Sequence, residues 1–204
     1  MEQLTKYRTV EKLTEGFYKE KNSKFIAYAV ACYNEIEVKQ KLESWRKEHS
    51  HAGHLCYAYR LGLNGIVYRA NDDGEPSNSA GPPILGQIDS YSLTNILIGV
   101  VRYYGGVNLG VGGLITAYRT ASKDAIENGK IVELEVHHWS IISFNYEDMP
   151  HIMNYLKKQN ISISEKKFEI DCELKIKVPL LISKKINSKL LSYSSIKIND
   201  LGIY

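Results

Sequence analysis

Two loops near the middle of this 204-residue chain concentrate groups suited to ligand binding. The first loop places three carboxylates, Asp72, Asp73 and Glu75, within four positions. Such a group suits a hard cation such as Mg²⁺, which binds a few acidic oxygens and retains waters. The same carboxylates could instead form ion pairs with Arg60 or Arg102 and stiffen the loop. The alternating ligand spacing of a calcium loop is absent. Both interpretations of the acidic loop stay open, and we assign no residue as a metal ligand.

The second loop is rich in glycine and lies between an apolar strand and a helix. Backbone amides at a helix N-terminus attract anions through unpaired N–H groups and the helix dipole. The spacing matches neither a Walker A loop nor a dinucleotide-binding fingerprint. Two interpretations therefore stay open: an anion site, or a tight turn with close helix–strand packing. The glycines of this candidate site are Gly105, Gly106, Gly110, Gly112 and Gly113.

Five side chains are candidates to complete an anion site with these glycines. His54 and Arg60 share one face of a predicted strand, and such a pair suits phosphate or carboxylate recognition. Arg102 and Tyr103 directly precede the glycine loop, and Arg119 follows it. A satisfied, half-buried histidine is the competing interpretation of His54. The sequence offers no set of catalytic residues, so we lean against an enzyme and expect no cofactor.

Composition favours a globular protein of the cytoplasm. Hydrophobic residues make up 44% of the chain and charged residues 24%. No apolar run is long enough to span a bilayer, and Met1 to Leu4 does not resemble the start of a signal peptide. Three cysteines without paired spacing predict no disulfide framework. Residues 1–135 carry 16 basic and 16 acidic side chains, whereas residues 136–204 carry 10 lysines and 7 acids.

Hydrophobic periodicity predicts an α+β protein of two domains, residues 1–135 and 136–204. In the strand over residues 53–61, Leu55 and its alternate neighbours point to one side, and Cys56 and its alternate neighbours point to the other. A capping box formed by Asn34 and Glu37 starts the first helix. The predicted strands of the first domain cover residues 9–15, 24–31, 53–61, 66–70 and 93–104, and its helices cover 34–49, a segment from 84, and a segment from 112 or 113 to 129.

The second domain shows a β-α-β-β-α-β order, which is the ferredoxin-like pattern. Pro150 suits the first turn of its first helix, which follows Asp148. The predicted strands cover residues 139–146, 161–170, 172–180 and 196–204, and the second helix covers 183–191.

At these segments the chain closely resembles the IMPACT/YigZ family. Several long motifs occur in the family's order and spacing across residues 20–130, and the second domain resembles the small C-terminal domain of bacterial YigZ members. The motifs are His54-Leu55-Cys56-Tyr57-Ala58-Tyr59-Arg60, Asp72-Asp73-Gly74-Glu75-Pro76-Ser77, Ala80-Gly81-Pro82-Pro83-Ile84-Leu85, Val101-Arg102-Tyr103-Tyr104-Gly105-Gly106, Leu109-Gly110-Val111-Gly112-Gly113-Leu114 and Ala117-Tyr118.

The chain departs from the family pattern in the acidic loop. Where the family usually reads Ser-Gly-Thr-Ala-Gly, this chain has Ser77-Asn78-Ser79-Ala80-Gly81. Asparagine tolerates the left-handed backbone conformation that a glycine would adopt there. We therefore expect the loop to keep its shape.

The resemblance implies a first domain similar to the second domain of a small-subunit ribosomal protein, followed by a ferredoxin-like domain. Eukaryotic relatives regulate a translation kinase that responds to starvation, largely through an additional N-terminal domain. The resemblance therefore implies a non-catalytic regulatory protein whose partners are RNA, the ribosome or translation factors. The alternative is an enzyme acting on a small phosphorylated or carboxylated compound in the same cleft. The sequence does not specify the oligomeric state.

Overall fold

A computed structural model describes residues 4–168 and 171–203, and the chain divides into two compact units. The first unit contains residues 7–134, and the second contains residues 135–204 together with 1–6. Both combine helices with antiparallel sheets, which confirms the α+β class. The expected strand ends at Ile170 and Tyr204 lie outside the described residues.

The first unit is built on a five-stranded sheet with the strand order β2-β3-β6-β4-β5, in which every neighbouring pair is antiparallel. Strand β6 is central and is buried from Ile96 to Arg102. A separate two-stranded sheet pairs β1 with β7. The elements are β1 (Lys6–Val10), β2 (Thr14–Glu20), β3 (Ser23–Ala31), α1 (Glu35–Glu48), β4 (His54–Leu61), β5 (Val67–Asn71), α2 (Gly81–Ser90), β6 (Ile96–Tyr103), α3 (Gly110–Glu127) and β7 (Ile131–Glu135).

Strand β4 has the two apolar faces that its alternation predicted. Cys56 and Ala58 belong to the core cluster that includes the buried residues of α2 and α3. Leu55 and Tyr59 belong to a second cluster with Trp45 of α1. The sheet is therefore covered on both faces, and its ligand-accessible parts are the loops at its ends.

Three details of the first unit test the sequence predictions. Asn34 caps α1 as expected, because its side chain accepts from the Glu37 amide at 2.9 Å and the Glu37 carboxylate accepts from the Tyr33 amide at 2.9 Å. The strand expected over residues 9–15 is interrupted, since β1 ends at Val10 and β2 begins at Thr14. Helix α3 begins at Gly110, two residues before the earlier of the two expected starts.

The second unit contains a four-stranded antiparallel sheet with the order β11-β8-β10-β9. Its two helices pack against one face of this sheet, where Ile142, Leu174, Ile152 and Ile186 join one buried cluster. The elements are β8 (His137–Asn145), α4 (Met149–Lys158), β9 (Ser162–Phe168), β10 (Asp171–Pro179), α5 (Leu180–Leu190) and β11 (Lys197–Ile203).

No helix in the described part of the chain is long and apolar enough to cross a membrane. The three cysteines, Cys32, Cys56 and Cys172, are buried free thiols.

Candidate functional site

The acidic loop and the glycine loop meet at one end of the five-stranded sheet. Strand β4 begins at His54, which lies opposite Arg102 near the end of β6. The acidic loop follows Asn71, the last residue of β5, and the glycine loop follows Tyr103, the last residue of β6. The antiparallel register therefore brings both loops to the same edge.

Asp72 organises the acidic loop and the start of α2. One carboxylate oxygen accepts from the amides of Ala80 at 2.9 Å and Gly81 at 2.8 Å, and the other accepts from the Asn78 amide at 2.9 Å. Its carbonyl accepts from the Glu75 amide at 2.9 Å. Because Gly81 is the first residue of α2, the carboxylate also stabilises that helix's dipole. Asp72 is thus fully engaged within the protein.

Asp73 ties the loop to β4 and α1. Its carboxylate accepts from the Leu55 amide at 2.7 Å and forms an ion pair with Arg46. The Nδ1 of His54 donates to the Asp73 carbonyl at 2.7 Å. His54 is therefore a half-buried histidine that fixes the loop, which is the competing interpretation weighed from the sequence.

Glu75 lies at the centre of a buried polar network. Its carboxylate accepts two hydrogen bonds from Nη1 of Arg102, at 2.7 and 2.9 Å, and one from the Tyr118 hydroxyl at 2.7 Å. The side chains of Arg102 and Glu75 are only 8% and 3% exposed. The Cys56 thiol donates to the Asp72 carbonyl at 3.0 Å and contacts the Tyr118 hydroxyl at 3.3 Å.

This network corrects the role expected for Arg102. The guanidinium is neutralised by Glu75, so it does not supply charge to the glycine loop. The alternative weighed from the sequence, an ion pair that stiffens the acidic loop, is the arrangement observed. The Nε atom of Arg102 has no hydrogen-bond partner among the described residues, and the guanidinium lies 5.6 Å from the ring centre of Phe25 and 5.5 Å from that of Tyr104.

The titration behaviour of the network favours structure over catalysis. Burial raises the pKa of the Cys56 thiol well above its usual range, so the sulfur stays protonated and weakly nucleophilic. Burial also strongly raises the pKa of the Tyr118 hydroxyl, which remains a hydrogen-bond donor to Glu75. Among the described residues, no three His, Cys, Asp or Glu side chains are arranged to hold a metal ion.

The first half of the glycine loop is shaped by close packing and by turns. A Cβ atom on Gly105 would lie 2.2 Å from the backbone of Asn22 and Ser23, so only glycine fits. Its amide donates to the Ser23 hydroxyl at 3.1 Å. Gly106 and Gly110 have positive φ values of 84° and 72°, which favour glycine. These three glycines serve the tight-turn interpretation.

The first amides of α3 have no hydrogen-bond partner within the helix itself. Its N-cap residue, Leu109, provides no side-chain hydrogen bond, and the first turn contains no acidic residue. Val111 and Gly112 are exposed. A cavity of about 260 Å³ lies beside this turn. Its lining residues are Tyr18, Glu20, Lys21, Leu109, Gly112, Gly113 and Thr116.

Arg60 lies at the opposite end of β4 from His54. It pairs with Ile96, the first residue of β6, and its guanidinium contacts the Asp89 carboxylate at 2.6 Å. It lies six positions along the strand from His54, which is roughly 20 Å. The two side chains share a strand face but not a site, so the prediction that Arg60 joins the glycine loop is corrected.

The two remaining candidates, Tyr103 and Arg119, do not line the cavity beside the start of α3. The Tyr103 hydroxyl contacts Nδ1 of His49 at 2.8 Å, and the Tyr28 hydroxyl contacts Nε2 of the same ring at 2.7 Å. Arg119 lines a separate cavity of about 420 Å³ between α2 and α3, together with Gln87.

The sequence did not identify Tyr118 or Lys21 as members of the candidate site. Tyr118 matched the apolar face of α3, and nothing in that pattern shows where its hydroxyl points. Lys21 lies in the β2–β3 turn with a positive φ of 43°. No local signal connects that turn to the start of α3, since Gly110 is 89 positions after Lys21.

The model of the Impact N-terminal domain matches residues 21–126 of this chain. The IMPACT family member YvyE of Bacillus subtilis is 33% identical over 162 residues, which cover 79% of this chain and 75% of YvyE. The IMPACT family member YigZ of Escherichia coli is 40% identical over 100 residues, which cover 48% of this chain and 49% of YigZ.

A crystal structure of a hypothetical protein is similar to this chain over nearly its full length. It superposes with a TM-score of 0.76 at 25% sequence identity and covers 98% of this chain and 99% of that protein. The motifs that form the loop network, His54 to Arg60, Asp72 to Ser77 and Val101 to Gly106, all lie within the matched family domain. This chain belongs to the IMPACT family.

Proposed function

We propose that this chain is a non-catalytic regulator of translation whose first unit binds an anionic group at the start of α3. The proposal rests on membership of the IMPACT family, whose resemblance implies partners in RNA, the ribosome or translation factors. The evidence for the location of the anion site is the first turn of α3, which has no side-chain cap. Its free amides and the helix dipole attract a phosphate or a carboxylate.

The rest of the loop network supports a binding role. The carboxylates of Asp72, Asp73 and Glu75 form hydrogen bonds with backbone amides and ion pairs with arginines. These contacts hold the loops rigid. Lys21 lines the cavity beside Gly112 and Gly113, where its ammonium group adds positive charge. Glu20 lines the same cavity, and its carboxylate accepts from the Tyr18 hydroxyl at 3.1 Å.

The proposal also covers the fold of each of the two domains. We infer that residues 136–204 form a ferredoxin-like domain, because their order is β-α-β-β-α-β and their sheet order is β11-β8-β10-β9. By family membership, the first domain, residues 1–135, would have the fold of the second domain of the small-subunit ribosomal protein.

A charge placed in the first turn of α3 tests the site. Gly112→Asp would supply the missing carboxylate, satisfy the free amides within the chain and repel an incoming anion. The matched control is Gly86→Asp in α2, because a Cβ atom there meets nothing within 4 Å and the added charge is the same.

Both variants are compared with the unaltered protein in sedimentation with purified ribosomes and in binding of ribosomal RNA. We expect Gly112→Asp to lose binding and Gly86→Asp to keep it. Equal binding by all three proteins would overturn the proposed site. Turnover of a phosphorylated or carboxylated metabolite by the unaltered protein would instead support the enzyme alternative.

A further inference from the structure

The four-stranded sheet of the second unit has one open face. Along β8, Ile142 and Phe144 are buried against the helices, whereas Trp139 and Ile141 alternate with them and are partly exposed. Successive strand residues point to opposite faces, so Trp139 and Ile141 lie on the face away from α4 and α5. The packing of α4 and α5 against the sheet does not use Trp139, because that packing involves the other face.

Two lysines of the neighbouring strand β10 lie close to this tryptophan. Lys177 lies directly opposite Trp139 in the β8–β10 register, and Lys175 lies opposite Ile141. Their Nζ atoms are 5.7 and 5.9 Å from the centre of the indole ring. At these distances each ammonium group is attracted to the indole π-system, which holds the positive charge beside the ring.

The open face carries more positive than negative charge. Residues directly opposite one another in neighbouring strands share a face, which assigns the charged residues of β9, β10 and β11. Glu165 pairs with Lys175 at 2.7 Å, so one lysine is partly neutralised. Among the side chains that the structure describes, this face carries Lys167, Lys175, Lys177 and Lys197 against Glu165 and Glu173.

We propose that this open face binds single-stranded RNA, with a base stacked on Trp139 and the flanking phosphates held by Lys175, Lys177 and Lys197. Stacking on an exposed aromatic ring beside cationic side chains is how sheet surfaces bind unpaired nucleotides without needing a sequence motif. A duplex offers no unpaired base to stack on Trp139, since its bases are already stacked on each other. The proposal rests on the link to RNA in the proposed function but uses a different unit and different residues.

The chemistry of the face favours RNA over a protein partner. A stable protein interface has an apolar core with several large side chains around its aromatic anchor. Here Ile141 is the apolar neighbour on the same strand face, and the residues opposite are lysines. Two ammonium groups near one planar ring suit a chain of alternating bases and phosphates.

Fluorescence anisotropy of a labelled RNA of about 12 nucleotides, a length within the usual range of such sites, tests the proposal. We expect Trp139→Ala to weaken binding about tenfold or more and Trp139→Phe to keep most of it, because a phenyl ring still stacks. Lys177→Ala should lower the slope of log affinity against log salt by about one. Lys158→Ala, which removes the same charge from α4, should leave that slope unchanged.

Quenching of tryptophan fluorescence by RNA distinguishes base stacking on Trp139 from a purely structural role of this residue. The chain has two tryptophans, and Trp45 is only 3% exposed in the first unit. RNA should quench the emission of the unaltered protein, and the Trp139→Phe variant should bind RNA without quenching. Quenching that persists in this variant would overturn the stacking.

Three other outcomes would overturn the inference. These are no RNA binding at low salt, unchanged affinity in Trp139→Ala, and tighter binding of DNA than of RNA of the same sequence. If Gly112→Asp loses RNA binding while Trp139→Ala keeps its affinity, the open-face inference is refuted and the proposed site at the start of α3 stands. The opposite pattern would refute the first-unit site and support the open face of the second.

Discussion

Replacing Arg102 with methionine should strongly destabilise the first unit. Methionine has nearly the length of the arginine stem, so little volume is lost, but the Glu75 carboxylate loses two of its three hydrogen bonds. Both side chains are almost fully buried, so the remaining charge has no access to water. Removing one partner of such a pair costs about 3–5 kcal/mol. For a unit of this size, that corresponds to a drop in Tm of roughly 10–20 °C.

Urea denaturation followed by tryptophan fluorescence measures this loss. A Trp139→Phe background leaves Trp45 as the single reporter, and Trp45 lies in the core of the first unit. The double variant Arg102→Met with Glu75→Gln should recover part of the loss, since no uncompensated charge then remains.

The matched control is Arg46→Met. Its ion pair with Asp73 joins side chains that are 42% and 34% exposed, and pairs of this kind contribute less than about 1 kcal/mol. If Arg102→Met costs no more than Arg46→Met, the buried network does not hold the loops together, and the structural account of the acidic loop fails.

Three further predictions concern the same unit. Because burial raises the pKa of the Cys56 thiol, iodoacetamide should label it only after unfolding, as mass spectrometry would show, and rapid labelling of the native protein would contradict this. Burial raises the pKa of Tyr28 and Tyr59 to about 12, so their stabilising contribution is complete below about pH 10 and is lost as the pH rises toward 12. Absorbance at alkaline pH should therefore show delayed ionisation coupled to unfolding, whereas ionisation near the ordinary value would refute the burial. Gly105→Ala should destabilise the unit by about 1–3 kcal/mol or more, and Gly112→Ala should stabilise α3 by about 0.4–1 kcal/mol, both measured by urea denaturation. The reverse order of stabilities would refute the packing described for the loop.

Local patterns predicted much of the fold. The capping box at Asn34 and the two faces of β4 depend on residues within one element, so their spacing was sufficient. Asn78 has a positive φ of 64°, which confirms that asparagine takes the left-handed conformation expected in the acidic loop. Strand β7 was missed because five residues with mixed burial give a weak alternation signal.

The candidate site was less predictable because its contacts join distant positions. Glu75 and Arg102 are 27 positions apart, and Glu75 and Tyr118 are 43 apart. The sequence offered Arg102 either as a partner of an acid or as a free cation, and only the folded loop distinguishes the two. Alternation placed His54 and Arg60 on one face of β4, but the two lie at opposite ends of the strand. Their spacing of six positions in an extended strand already implied that separation, so this error was avoidable from the sequence.

A titration of the ¹⁵N-labelled protein with inorganic phosphate, followed by amide chemical shifts, most directly tests whether the start of α3 binds anions. The amides of Gly110, Val111, Gly112 and Gly113 should shift together in a saturable manner, and Gly112→Asp should abolish the shift. If these four amides do not respond while others in the unit do, the anion site proposed for this IMPACT family member is contradicted.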